Sequence, residues 1–143
     1  MKTYSIRSGD VDRQWHVIDA SGKTLGRLAS EVAIILLGKN KPTFSTNVNV
    51  GDYVVVINAA KIKVTGKKDQ QKIYYRHSNY PGGLRSVRYS DMLKTNPEGI
   101  ITFAVRGMIP RNRLGRQIMG RLKVYAGDDH PHKAQLGKSE KGE

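Results

Sequence analysis

The sequence predicts an α/β protein with a mainly parallel sheet and helices on both faces, and three observations carry that expectation. A strand-like segment, Trp15-His16-Val17-Ile18-Asp19, precedes a stretch with apolar residues at helical spacing. An unbroken β-branched run, Tyr53-Val54-Val55-Val56-Ile57, then follows, the mark of a strand covered on both sides. Strand, helix and strand in one chain call for a right-handed crossover. At 143 residues the chain suits one domain with a real core.

Each element has a local reason. A polar arm, about 1–14, leads into the first strand, and Ala20-Ser21-Gly22-Lys23 forms the turn that leaves it. In the first helix Leu25, Leu28, Ala29, Val32 and Leu36 share a face, Thr24 is placed to cap the start, and Gly38 stops it with Pro42 beyond. Ile34 and Leu37 lie off that face. Lys61 to Lys68 alternates apolar and basic residues up to a Gly66-Lys67-Lys68 turn, and Lys72-Ile73-Tyr74-Tyr75-Arg76 reads as a third strand. An irregular loop runs through Tyr80-Pro81-Gly82-Gly83. Ser90 is placed to cap a short helix, and Asn96-Pro97 to open another in which Ile101, Ala104, Val105 and Met108 share a face until Pro110 ends it. Lys123-Val124-Tyr125-Ala126 is a closing strand. The tail, about 133–143, is polar and expected to be poorly ordered in isolation. The sequence shows no internal repeat.

Charge narrows the partner. Lys and Arg number 25 against 12 Asp and Glu, a formal net charge of +13, which makes a polyanion the physical default. A membrane-surface helix needs a strong apolar face beside its cations, yet the most apolar helical stretch here carries few charges. No apolar run is long enough to span a bilayer, and the start Met1-Lys2-Thr3-Tyr4 lacks the apolar core of a signal peptide, so the expected location is the cytoplasm. The absence of Cys fits a reducing compartment and excludes thiolate metal sites.

The charge is concentrated. From Gly99 to Gly127 there is no Asp or Glu, while Arg106, Arg111, Arg113, Arg116, Arg121 and Lys123 recur every few residues. If Asn112 to Leu122 is helical, Leu114, Ile118 and Leu122 fall on one side with Met119 at its margin, and Arg113, Arg116 and Gly120 face the other way to meet phosphate. A glycine inside a helix costs roughly 1 kcal/mol against Ala, so Gly120 is read as a point of close approach by RNA backbone or another element. The loop containing Tyr75, Arg76, His77, Tyr80, Gly82, Gly83 and Arg85 mixes rings, cations and flexible glycines, the mixture that stacks unpaired bases and admits a phosphate. Lys39, Lys41, Lys67 and Lys68, at helix or hairpin ends, are read as further phosphate contacts.

Other chemistries are weaker. Gly22-Lys23-Thr24 stands where a phosphate-binding loop would stand, but a Walker loop needs a glycine five residues earlier and that position is Val17. An ordinary strand-to-helix turn is the plainer reading. His130-Pro131-His132 beside Asp128 and Asp129 has metal-ligand types, but structural zinc needs four fixed ligands and no further partner is evident, so no metal and no cofactor are assigned. His16 reads as a strand residue, and no spacing suggests a nucleophile with its base.

At this level the residues resemble a known family, the bacterial large-subunit ribosomal protein L-thirteen. The resemblance rests on Arg106-Gly107-Met108-Ile109-Pro110, Gly115-Arg116 and Leu122-Lys123-Val124-Tyr125-Ala126-Gly127, with Trp15 to Ala20, Thr24 to Ala29, Gly51 to Ala59, Tyr75 to Ser78 and Tyr80 to Gly83 in support. It implies a three-layer α/β/α domain with a four-stranded sheet in the order 3-2-1-4. It also implies a non-enzymatic, cytoplasmic ribosomal component that binds large-subunit rRNA, adjoins other ribosomal proteins and supports early assembly and translation. In some relatives it implies mRNA binding that represses translation. The competing class is a nucleotide- or metal-dependent enzyme built on the Gly22 turn or the His130 cluster.

Overall fold

The structure is a computed structural model and describes residues 2–137. In chain order the elements are β1 (Trp15–Asp19), α1 (Leu25–Leu37), β2 (Tyr53–Ile57), α2 (Lys68–Gln71), β3 (Ile73–His77), β4 (Leu84–Arg88), α3 (Tyr89–Thr95), α4 (Pro97–Met108), α5 (Arg113–Met119), β5 (Leu122–Val124) and α6 (Lys133–Leu136). Single 3₁₀ turns lie at Ser8–Asp10 and Ala59–Lys61.

β2 is the centre of a parallel sheet in the order β1-β2-β5, with Val17 opposite Val55 and Val54 opposite Leu122. Val54, Val55 and Val56 are fully buried, as an all-apolar central strand requires. Because side chains alternate along a strand, Ile18, Val54, Val56, Leu122 and Val124 share one face. They join the core formed by Leu28, Val32 and Leu36 of α1 with Ile100, Ile101 and Val105 of α4. On the other face the rings of Trp15 and Tyr53 stack at 4.4 Å, and His132 lies 5.1 Å from Trp15. That face is therefore partly covered by aromatic side chains and the segment entering α6, with Val17 left exposed, where helices on both faces were expected.

The sheet itself also differs from the expectation. Among the described residues it has three strands, where the resemblance implied four in the order 3-2-1-4. The segment read as a third strand does form β3, but it pairs antiparallel with β4 as a separate two-stranded ribbon, Ile73 opposite Arg88 and His77 opposite Leu84. Apart from the half-buried Tyr74, every residue of the two strands is exposed, Ile73, Tyr75, Leu84 and Val87 included, so the ribbon stands at the surface while β2 is covered on both sides.

The helix ends follow local chemistry. Asn96 and Asn112 accept from the amides of Gly99 and Gly115 and so cap α4 and α5. Thr24 stands at the start of α1 without a side-chain cap bond. Gly38 takes φ 80 and donates to the carbonyls of Ile34 and Ile35, the left-handed stop its position predicts. The helix begun at Asn112 stops at Met119, and Leu122 is already in β5. In the tail Lys133–Leu136 is a helical turn, and residues 138–143 lie outside the described residues.

Candidate nucleic-acid interface

The long helix α4 and the shorter α5 are joined by residues 109–112, and three of the six basic residues of the acid-free segment gather where they meet. Arg106 leaves the last turn of α4, Arg111 stands on the connection and Arg116 on α5, all exposed. The three border one groove of 680 Å³ with Thr102, Phe103, Pro110 and Met119 among its other walls. Arg113 is exposed beside it on α5, whose opposite side buries Ile118 and half-buries Leu114 and Met119. Over this single short helix the separation into a packed and an exposed basic side thus follows the sequence periodicity, with Met119 at the margin between them.

The ribbon presents a second group. Tyr75 and Tyr80 are 66% and 74% exposed, and Arg76, His77 and Arg85 are exposed around them. Gly82 adopts φ 70 in the connecting turn, which suits glycine. Gly83 is tight against Ser78 and Tyr80, so its lack of a side chain already serves the turn itself. Tyr74, on the inner side of the ribbon, lies 6.1 Å from Phe103, which connects the ribbon to the groove. Lys39, Lys67 and Lys68 are exposed at the end of α1 and around the start of α2, apart from the groove, and Lys123 is half-buried in β5.

Two cations expected on the RNA face point inward, and one glycine has another explanation. Arg121 is only 6% exposed, and its Nη2 donates to the carbonyl of Leu36 at 2.7 Å. It anchors the end of α1, and sequence alone counted it with its exposed neighbours because it falls in the acid-free basic run and inside the helix expected from Asn112 to Leu122. Lys41 Nζ donates to Asp52 Oδ1 at 2.7 Å and to the carbonyls of Asp12 and Val50 at 2.7 and 3.0 Å. It is committed to holding the N-terminal arm. Gly120 is not inside a helix: it caps α5 at φ −63, and a Cβ there would meet the carbonyl of its own Gln117 at 3.3 Å. At the end of the helix Gly120 carries no mid-helix cost, and its presence needs no close approach to explain it.

Asp52 completes the network around Lys41. Its Oδ1 also accepts from the amide of Gln14 at 3.0 Å, and its Oδ2 accepts from His16 Nε2 at 2.9 Å. Burial by itself would raise its pKa, but the hydrogen bonds from Lys41, Gln14 and His16 and the Lys41 charge outweigh burial and hold the carboxyl below its usual range.

The two enzymatic candidates find other roles. At the Gly22 turn the amides of Gly22 and Leu25 donate to the carbonyls of Lys61 and Lys63, and that of Lys23 to Ala20. Amides bonded to protein carbonyls cannot cradle a phosphate. In the His130 segment, His132 Nε2 shares a 2.7 Å hydrogen bond with the Tyr125 hydroxyl, and His130 Nδ1 accepts from the amide of His132. Partial burial, His130 and Lys123 hold His132 below the usual histidine range. Among the described residues no cluster of three or more metal-ligand side chains converges.

Sequence reasoning left Phe103 out of this surface and placed Met119 only at the margin of the packing side. Phe103 was findable, because Ile100, Ile101 and Val105 define the buried stripe of α4 and leave this large ring outside it.

The fold and this surface define a basic α/β protein whose exposed chemistry is an acid-free cationic groove beside an aromatic ribbon. The family model described as Ribosomal protein L13 matches residues 13–131, and the chain belongs to that family. Relatives named "Large ribosomal subunit protein uL13" include one from Dehalococcoides mccartyi (strain ATCC BAA-2266 / KCTC 15142 / 195), 56% identical over 99% of both chains. Those from Natranaerobius thermophilus and Roseiflexus sp. (strain RS-1) are 58% identical over 93% of both chains and 53% identical over 96% of this chain and 94% of the relative. The family is one of structural proteins rather than enzymes.

Proposed function

We propose that this chain is a structural constituent of the large ribosomal subunit, working in the cytoplasm, that binds large-subunit rRNA and supports early subunit assembly. The observation that carries the reading is the convergence of Arg106, Arg111 and Arg116 on one groove in a segment without any carboxylate. The exposed Tyr75 and Tyr80 add stacking surfaces, and Lys39, Lys67 and Lys68 add separate phosphate contacts. The core would then fix the spacing of RNA segments that meet different faces of one small body. Neighbouring large-subunit proteins are the expected protein partners. Binding of mRNA has no separate support in the geometry or among the relatives and is not part of the proposal.

Filter-binding titrations on large-subunit rRNA fragments test it. With about six phosphate contacts, log affinity should fall against log salt with a slope of about −4 to −5. A slope near zero would overturn the reading.

A further inference from the structure

The groove between α4 and α5 is concave, and its walls are of two kinds. Phe103, Ile109, Pro110 and Met119 supply apolar surface, while Arg106, Arg111 and Arg116 supply guanidinium groups, and no acidic residue lines it. Phe103 is 49% exposed on the outside of α4, and its nearest aromatic neighbour, Tyr74, lies 6.1 Å away at a tilt of 31°. Among the described residues none of the three arginines has a carboxylate within ion-pair distance. The volume of 680 Å³ falls in the range of about 300 to 1,000 Å³ typical of small-ligand sites.

The groove is also held in shape. Asn112 Oδ1 accepts from the amide of Gly115 at 2.8 Å, and a Cβ at position 115 would collide with the carbonyl of Pro110. The connection is thereby pressed onto α5, so the walls exist before anything binds and little ordering cost remains.

A double-stranded RNA presents phosphates on a convex surface and keeps its bases stacked inside, so it has nothing to place in an apolar concavity. An unpaired nucleotide has both parts that the walls match, a base with an apolar face and a phosphate for guanidinium. We propose that this groove receives one unpaired base of RNA, stacked on Phe103, with Arg106, Arg111 and Arg116 meeting the phosphates on either side of it. The inference rests on the RNA-binding reading and assigns the groove to single-stranded RNA within it.

The test uses the full chain with a fluorescein-labelled single-stranded RNA octamer of mixed sequence and a blunt RNA duplex of the same composition. Phe103→Ala should weaken octamer binding by about 5- to 150-fold, the loss that removing one base stack gives, and leave duplex binding within about twofold. Arg106→Ala with Arg111→Ala should weaken both. If the arginine pair matters but Phe103→Ala changes neither probe, or both equally, the base site is overturned while RNA binding stands. If the arginine pair changes nothing, the RNA-binding reading of this surface fails with it. A wild-type chain that prefers the duplex and ignores Phe103→Ala would leave the groove to a segment of a neighbouring protein and overturn the proposal. Photocross-linking of the unaltered chain to an octamer carrying 5-iodouridine gives a measure independent of folding. Adducts on Phe103 support the site, and adducts confined to Tyr75 and Tyr80 overturn it.

Discussion

Arg121 Nη2 donates to the carbonyl of Leu36 at 2.7 Å, joining the entry of β5 to the last turn of α1 across 85 residues of chain. Gly51 makes the approach feasible, because any Cβ at that position would run into the Leu36 carbonyl and come within 3.0 Å of the guanidinium. The guanidinium therefore serves the fold through that one hydrogen bond, its Nε and Nη1 being buried without a partner among the described residues, in a segment whose other arginines stand at the surface.

Arg121→Ala should accordingly destabilise the protein by about 1.5 to 3 kcal/mol, the range for a hydrogen bond to a charged group. Denaturant melts measure this directly. RNA affinity per folded molecule should stay within about twofold, and a variant that melts like wild type yet binds RNA poorly would return Arg121 to the surface.

Asp52 predicts an acid limb in stability. Its folded pKa is lowered from 3.8, so its contribution is fully present above the unfolded value and is lost as pH falls through the lower folded value. The window is therefore below about pH 4. Asp19, held down chiefly by the Ser21 amide and then by Asn58, acts in the same direction. Asp52→Asn should flatten part of the limb, not all of it, in melts taken from pH 2 to pH 6.

The Gly22 turn should ignore nucleotides. Its amides already serve Lys61, Lys63 and Ala20, and Lys23 Nζ reaches no nearer than 3.5 Å to Glu31 at the surface. Millimolar ATP or GTP should leave the melting temperature unchanged in wild type and in Lys23→Ala. A rise in wild type that Lys23→Ala abolishes would make the turn a nucleotide site.

The two sides of α5 should separate in paired measurements. Ile118 is 3% exposed within the core, so Ile118→Ala should cost about 2 to 5 kcal/mol. Arg113→Ala with Arg116→Ala should change stability by less than about 0.5 kcal/mol per site while weakening RNA binding. Melts and filter binding on the same preparations compare the two directly.

The sequence by itself determined the elements whose signals are local. The uniform β-branching of Tyr53 to Ile57 specified a buried strand, the spacing of Leu25 to Leu36 a helix, and Gly38, Asn96 and Asn112 their ends. It also fixed the sign of the partner, because net charge is additive and needs no coordinates. Only the tertiary structure decided which strand paired with which: nothing within Lys72 to Arg76 records the partner of β3, since pairing depends on a distant segment and on what covers the faces. The same reason governs the cations. Arg106 and Arg121 are alike as residues, and whether a guanidinium meets solvent or a buried carbonyl is set by the end of α1, which the chain laid down 85 residues earlier. Phe103 belongs to both levels: its place outside the buried stripe was legible in the spacing, while its junction with three arginines exists only once α5 folds back toward α4.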